Sequence, residues 1–140
     1  MTEVMKTPRS VDMAVTHKPN LRYRYCSHFS GPGDVGVDLP TDDWLRFFEE
    51  LGKCAVMEAT IQGREPFSRA DIKELINGII KNRMRFSILS NGILITDDLS
   101  AFLSSTGRCN HVQISIDGSK AEIHDSFRGQ GTFEKAIAGL

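Results

Sequence analysis

The apolar positions of this chain change period several times, and each change marks an element. From Ser10 to Thr16 the apolar residues Val11, Met13 and Val15 alternate with small or polar ones, the period of a strand. Residues 17–39 show no period and hold His, Gly and Pro, as in a long loop. Thr41 is placed to cap a helix whose Trp44, Phe47, Phe48 and Leu51 follow helical spacing as core residues, closed by Gly52. Cys54 to Ile61 has the composition of a buried strand, broken at Gln62-Gly63-Arg64-Glu65-Pro66. Ser68 is a candidate cap for a second helix with the stripe Ile72, Leu75, Ile76, Ile79 and Ile80. Lys73, Glu74, Lys81 and Arg83 fall on its solvated side. A third strand spans Arg85 to Leu89 and ends at Ser90-Asn91-Gly92. Thr96 caps a shorter helix carrying Leu99, Phe102 and Leu103, and His111 to Ile116 forms a fourth strand ending at Asp117-Gly118. A fourth helix starts near Thr132.

Strands that alternate with helices imply crossover connections and a parallel sheet. The expected fold class is therefore α/β, a parallel (βα)4 partial barrel over residues 11–140, preceded by a flexible tail at 1–10. The chain has 140 residues, enough for one domain with a real core. Its net charge of −1 provides no basic field for nucleic acid, and no stretch approaches the ~20 apolar residues of a membrane span. The N-terminal residues lack the apolar core of a secretory signal. Three cysteines, Cys26, Cys54 and Cys109, are too few and odd for a disulfide framework and fit a reducing cytoplasm.

In parallel sheets, ligand groups sit at the carboxyl ends of the strands. The polar and glycine motifs fall there: the 17–28 loop, Gly63 to Pro66, Ser90 to Gly92, and Ser115 to Gly118. Gly and Asn also make ordinary βα turns, so any one of these loops has a purely structural explanation; four on one rim point to a ligand. No Ser/His/Asp nucleophilic set is evident. The glycine-rich stretch Gly31 to Gly36 lacks a phosphate-loop lysine.

Taken in order, these loops resemble the first two-thirds of a radical S-adenosylmethionine (radical SAM) core, of the branch that modifies peptides and proteins. The likeness spans about Val11 to Leu140. It is most specific in QISIDGSKAEIHDSFRGQGTFEKAI (Gln113 to Ile137), in GREPF (Gly63 to Phe67) and in ILSNGILI (Ile88 to Ile95). The resemblance implies a 4Fe–4S cluster held by three cysteines, with S-adenosylmethionine on the fourth iron, and hydrogen abstraction from a peptide or protein substrate. It places Cys26 as the third cluster cysteine and Tyr25 beside the adenine. Gly63, Glu65 and Pro66 then meet the ligand's amino group, Ser115 and Asp117 lie at the ribose, Ser90 and Asn91 line the rim, and Arg128 faces the carboxylate. The His124-Asp125 pair is read either as part of that motif or as the start of a short helix.

The sequence departs from the family in three ways. At the C-x3-C-x2-C spacing that ends on Cys26, the other two positions are Pro19 and Tyr23, so one thiol of three remains. Thiolates are what hold such iron, and the expectation is a chain that binds no stable cluster. Cys54 and Cys109 precede their strands and belong to the opposite rim, roughly 15–20 Å away. His17 and His28 lie nearer, but one Cys with two His at this spacing matches no zinc pattern. Second, Arg64 replaces a glycine of a Gly-Gly-Glu-Pro turn. If that position needs φ > 0, a side chain costs about 1 kcal/mol. Third, the family core has six βα units and only four are legible here. The fourth strand is then an exposed parallel edge. The expected partners are a peptide or protein substrate together with a missing C-terminal half or an intact partner. The alternative is a non-catalytic module that still binds S-adenosylmethionine or a peptide.

Overall fold

The structure, a computed structural model, describes residues 6–18, 20–21 and 36–140. Pro19, Tyr23, Tyr25, Cys26 and His28 lie outside the described residues.

Four strands form one sheet in the sequential order β1-β2-β3-β4, comprising β1 (Ser10–Ala14), β2 (Glu58–Gln62), β3 (Arg85–Ser90) and β4 (Cys109–Ile114). Every pairing is parallel. Between them run α1 (Thr41–Lys53), a short 3-10 turn (Pro66–Ser68) leading to α2 (Ile72–Lys81), and α3 (Asp97–Ser105). After β4 come α4 (Ala121–Arg128) and α5 (Thr132–Ala138). Sequential order in a wholly parallel sheet is the arc of a barrel, so the expected (βα)4 partial barrel is what forms.

The core follows the periodicity. Phe48 of α1, Leu75, Ile76 and Ile79 of α2, and Ala59, Ile61, Phe86 and Ile88 of the two inner strands are all fully buried. Burial of the Phe, Leu and Ile side chains among them contributes ~1.5–3 kcal/mol each. Trp44 stacks on Phe48 with centroids 5.9 Å apart. Gly78 lets α1 close onto α2, since a Cβ there would stand 2.4 Å from Leu45 Cδ2 and 3.1 Å from Phe48 Cδ2. No helix among the described residues is long and apolar enough to cross a membrane.

Several boundaries differ from those expected. β1 stops at Ala14, although Val15 N still donates to Gln62 O at 2.8 Å. Cys54 to Val56 is not strand: Ala55 adopts φ 57°, and Val56 N donates back to Leu51 O, closing α1 in a left-handed helix end. β2 therefore begins only at Glu58. Thr41 is the first residue of α1, after Pro40, and its hydroxyl reaches Asp71. Ser68 ends the 3-10 turn, and α2 starts after Asp71. β4 is Cys109–Ile114 rather than His111 to Ile116. Phe47, expected in the core, is 43% exposed on the outer side of α1. The periodicity from Thr132 was legible; α4, carrying His124 and Asp125, is the short helix weighed as one reading of that pair. Thr96 caps α3 as expected, accepting from Leu99 N at 3.3 Å.

β3 is the most buried strand, and β4 is half exposed along its length. Among the described residues β4 pairs only with β3.

Candidate functional site

The carboxyl ends of the strands are drawn together by a chain of local bonds. Arg64 N donates to Thr16 O at 3.2 Å, joining the ends of β1 and β2, and Ser115 N donates to Ser90 O at 3.0 Å, joining β3 and β4. Gly63 makes the first approach possible. Its φ is +133°, and a Cβ on it would lie 2.7 Å from Thr16 O. Only glycine tolerates both conditions. Arg64 is not among the residues with positive φ, so its backbone carries none of the strain that the Gly-to-Arg change raised as a question.

Glu65 closes the second junction. Its carboxylate is fully buried and accepts three hydrogen bonds: Oε1 from Phe67 N at 3.1 Å and Ser90 Oγ at 2.9 Å, and Oε2 from Asn91 N at 2.9 Å. All three partners are donors, the arrangement an ionised carboxylate requires. Burial pushes its pKa up, and the bonds from Asn91, Ser90 and Phe67 oppose that rise. The side chain thus fastens the turn after β2 to the turn after β3. Pro66 is buried beside it, opening the 3-10 turn.

The turn after β3 is itself tightly built. Ser90 Oγ accepts from Gly92 N at 3.0 Å, and Asn91 Oδ1 accepts from Ile93 N at 3.1 Å. Asn91 Nδ2 reaches out to Asn20 Oδ1 at 2.7 Å, so this turn holds a residue of the long loop after β1.

After β4 the polar residues engage one another. Arg128, 8% exposed, forms an ion pair with Asp117 through Nε to Oδ2. His124, 1% exposed, accepts from Asp117 N through Nδ1 at 3.2 Å, which places the proton of a neutral ring on Nε2. Asp125 accepts from Gly131 N at 2.7 Å and Phe133 N at 2.9 Å, and so caps α5 from the preceding helix. Those backbone bonds, Phe133 first, hold its carboxyl below the usual range.

One cluster was not anticipated. Arg69 is buried, yet its guanidinium donates to Val15 O at 2.8 Å, to Leu39 O at 3.2 Å and to Asp71 at 2.6 Å. Asp38 accepts from Thr16 Oγ1 at 2.8 Å and from His17 N at 2.7 Å. Together Arg69 and Asp38 pin the two feet of the 17–39 loop to each other and to the start of α2. The Arg69 side chain, with help from Thr41, holds the Asp71 carboxyl down at about 2. The sequence held one signal for this: an Arg and an Asp two residues apart ahead of an apolar helix, where neither serves the helical stripe.

The rim thus gathers Gly63, Glu65, Pro66, Ser90, Asn91, Ser115, Asp117 and Arg128, which the sequence had singled out. Tyr25 and Cys26 lie outside the described residues. Cys54 and Cys109 stand at the amino ends of β2 and β4, on the opposite rim, as expected. Burial raises the pKa of the Cys109 thiol, with Arg85 opposing the rise. Among the described residues no group of three or more His, Cys, Asp or Glu is arranged to hold a metal.

A family model described as the radical SAM superfamily matches residues 13–140. The chain belongs to that superfamily. Membership implies S-adenosylmethionine and a 4Fe–4S cluster as the family's cofactors. The chain is 31% identical over 129 residues to the PqqA peptide cyclase of Rhodopseudomonas palustris, covering 92% of this chain and 34% of that protein. It is 30% identical over 141 residues to the AdoMet-dependent heme synthase of Methanosarcina barkeri, covering 100% and 40%. It is 32% identical over 136 residues to the mycofactocin maturase MftC of Mycobacterium tuberculosis, covering 97% and 34%. The chain therefore spans between a third and two-fifths of the length of these relatives. Among solved structures, Streptococcus suis SuiB bound to S-adenosylmethionine has the same fold, with a TM-score of 0.80 at 18% identity over 95% of this chain and 30% of that one.

Proposed function

We propose that this chain forms the S-adenosylmethionine-facing part of a radical SAM-type core that acts on a peptide or protein, and that it does not itself retain a stable 4Fe–4S cluster. The observation that carries the reading is the Glu65 carboxylate, which fastens the turns after β2 and β3 into one rim facing the loop after β1. A peptide substrate is supported by the relative named PqqA peptide cyclase and by the segment from Gln113 to Ile137.

Within this reading the residues divide by what their polar atoms already touch. Gly63 and Ser115 form the surface against which S-adenosylmethionine lies, and the family resemblance adds Tyr25 at its adenine. Glu65, Pro66, Ser90, Asn91, Asp117 and Arg128 are positioning residues, because they are buried or bonded to neighbours on the rim. When bound beside a reduced cluster, S-adenosylmethionine supplies the radical chemistry of the family. This chain's own residues bind and orient it.

The donor set does not fit a cluster. Cys26 is the one cysteine at the loop positions, Pro19 offers no ligand atom, and Tyr23 offers at best a phenolate. Cys54 and Cys109 are at the other end of the sheet. A reducing cytoplasm and a partner that completes the barrel along β4 belong to the same proposal.

Calorimetric titration with S-adenosylmethionine, paired with anaerobic treatment with iron and sulfide, tests both halves. The expected outcome is saturable, one-to-one S-adenosylmethionine binding with no stoichiometric cluster absorbance. Absence of heat and of any thermal shift would remove the binding half. Near-stoichiometric cluster with cleavage of S-adenosylmethionine would overturn the other.

A further inference from the structure

The opposite rim of the sheet, where the strands begin, carries a second and unassigned feature. A concave cavity of about 410 Å³ is lined there by Arg9, Arg83, Arg85 and Arg108, with Glu58 as its single carboxylate. We propose that this cavity binds a small molecule bearing a di- or triphosphate.

The placement comes from strand register. Ser10 pairs with Glu58, Glu58 with Arg85, and Phe86 with Cys109, so the starts of all four strands lie level. Arg9 and Arg108 immediately precede β1 and β4, and Arg85 opens β3. At ~4.8 Å per strand spacing, the row from Arg9 to Arg108 runs roughly 14 Å across the sheet. Arg83 enters from the end of α2. The chain as a whole has a net charge of −1, yet here four guanidinium groups face one carboxylate.

That carboxylate does not neutralise them. Asn110 stands between the opposite charges: its Oδ1 accepts from Arg85 Nε, and its Nδ2 donates to Glu58 Oε1. Among the described residues Arg9, Arg83 and Arg108 form no ion pair. Like charges gathered in a concavity repel one another and concentrate a field that attracts anions.

A simpler account is that cations collect at helix C-termini to offset the helix dipole. It covers Lys53 and Lys81, which occupy the last turns of α1 and α2. It does not cover Arg9, Arg85 and Arg108, which stand at strand starts. The two non-glycine residues with positive φ among the described residues, Ala55 (57°) and Arg83 (67°), both line this cavity, and each is the left-handed end of its helix, with Val56 N donating to Leu51 O and Met84 N to Ile79 O. The turn at Arg83 carries its side chain from the end of α2 to the level of the strand starts.

The ligand class follows from shape and donor chemistry. Guanidinium forks bond phosphate oxygens two at a time, and several in a row suit linked phosphates better than a single oxyanion. The volume lies in the range of small-molecule sites. Val56 and the half-exposed Met57 supply an apolar wall for whatever the phosphates are attached to.

The test uses the full chain, with inorganic triphosphate and ATP as separate probes in calorimetry and thermal melts at 0.15 M salt, about physiological ionic strength. Wild type is expected to bind triphosphate at one saturable site. The double variant Arg83→Gly/Arg108→Gln is expected to bind about tenfold or more weakly and to melt normally without ligand, because glycine suits the left-handed conformation at position 83. ATP binding tighter than triphosphate assigns a nucleotide; equal binding assigns inorganic polyphosphate; both support the site. Three results overturn it: unchanged affinity in the double variant, equal stabilisation by sulfate at matched ionic strength, or displacement of the probe by S-adenosylmethionine. Tighter binding of a hexaglutamate peptide would overturn the phosphate assignment in favour of an acidic peptide.

Discussion

Gly63 and Glu65 carry the rim between them, for different physical reasons. Gly63 is irreplaceable because its φ and its distance to Thr16 O both exclude a Cβ. Gly63→Ala is expected to destabilise the fold by ~2 kcal/mol and to abolish S-adenosylmethionine binding, read as a lower urea midpoint and a flat titration. Glu65 matters through charge distribution. Its oxygens accept from three donors, so Glu65→Gln turns an NH2 group toward at least one N–H or O–H. The buried donors left unmatched are expected to cost ~2 kcal/mol, although the substitution changes almost no volume. An unaltered melting temperature in that variant would show that Glu65 is not the fastening described here. Sequence motif had marked both residues for ligand contact, and it could not show that the Glu65 carboxylate is turned inward. The motif residues are near one another in the chain, whereas the partners that settle the side chain's direction, Ser90 and Asn91, are 25 and 26 residues away.

The connections between elements explain the errors of boundary. α1 and α2 each end in a left-handed residue that is not glycine, Ala55 and Arg83; the glycine expected to close α1, Gly52, lies inside the helix, and Cys54 to Val56 therefore resembles strand. α5 is capped by Asp125 from the preceding helix, a bond that no local cap pattern announces. The Arg69, Asp71, Asp38 and Thr16 network is a further case. It joins the foot of β1, the approach to α1 and the start of α2, three places far apart in sequence. Asp71 makes this junction sensitive to acid. Its carboxyl pKa is lowered from 3.8 to about 2, so its contribution is present above pH ~4 and is lost as pH falls through 2. Allowing for its partial exposure, that contribution is ~1–2 kcal/mol. Asp71→Asn is therefore expected to be less stable at neutral pH and to show a shallower decline between pH 4 and pH 2, measured by urea unfolding at each pH.

Across the whole molecule, the two ends of the sheet differ in kind. The carboxyl end is a network in which the buried cations are matched by carboxylates, Arg69 by Asp71 and Arg128 by Asp117. The amino end is basic and holds three arginines outside any ion pair among the described residues. Cys54 and Cys109 belong to that second end and so are remote from the loop that carries Cys26. Restoring the missing donors is then the direct test of why no cluster is expected. The variant Pro19→Cys/Tyr23→Cys should take up iron and sulfide and show a charge-transfer band that the parent chain lacks. Cluster uptake by the parent equal to that of the variant would mean that other ligands suffice.

The order of the strands, the parallel sheet and the membership of the three polar turns after β2, β3 and β4 in one rim were legible in the sequence, because periodicity and turn chemistry are local properties; the 17–28 loop lies largely outside the described residues. So was the shortage of thiols at the cluster positions, since a donor is either present or not. The folded chain decided what local patterns cannot express. Glu65 faces inward, Arg128 closes on Asp117, Arg69 ties the loop after β1 to two helices, and three scattered arginines come level at the strand starts with Arg83 brought beside them from the end of α2. Each of these is a distance between residues remote in sequence, set by strand register and packing.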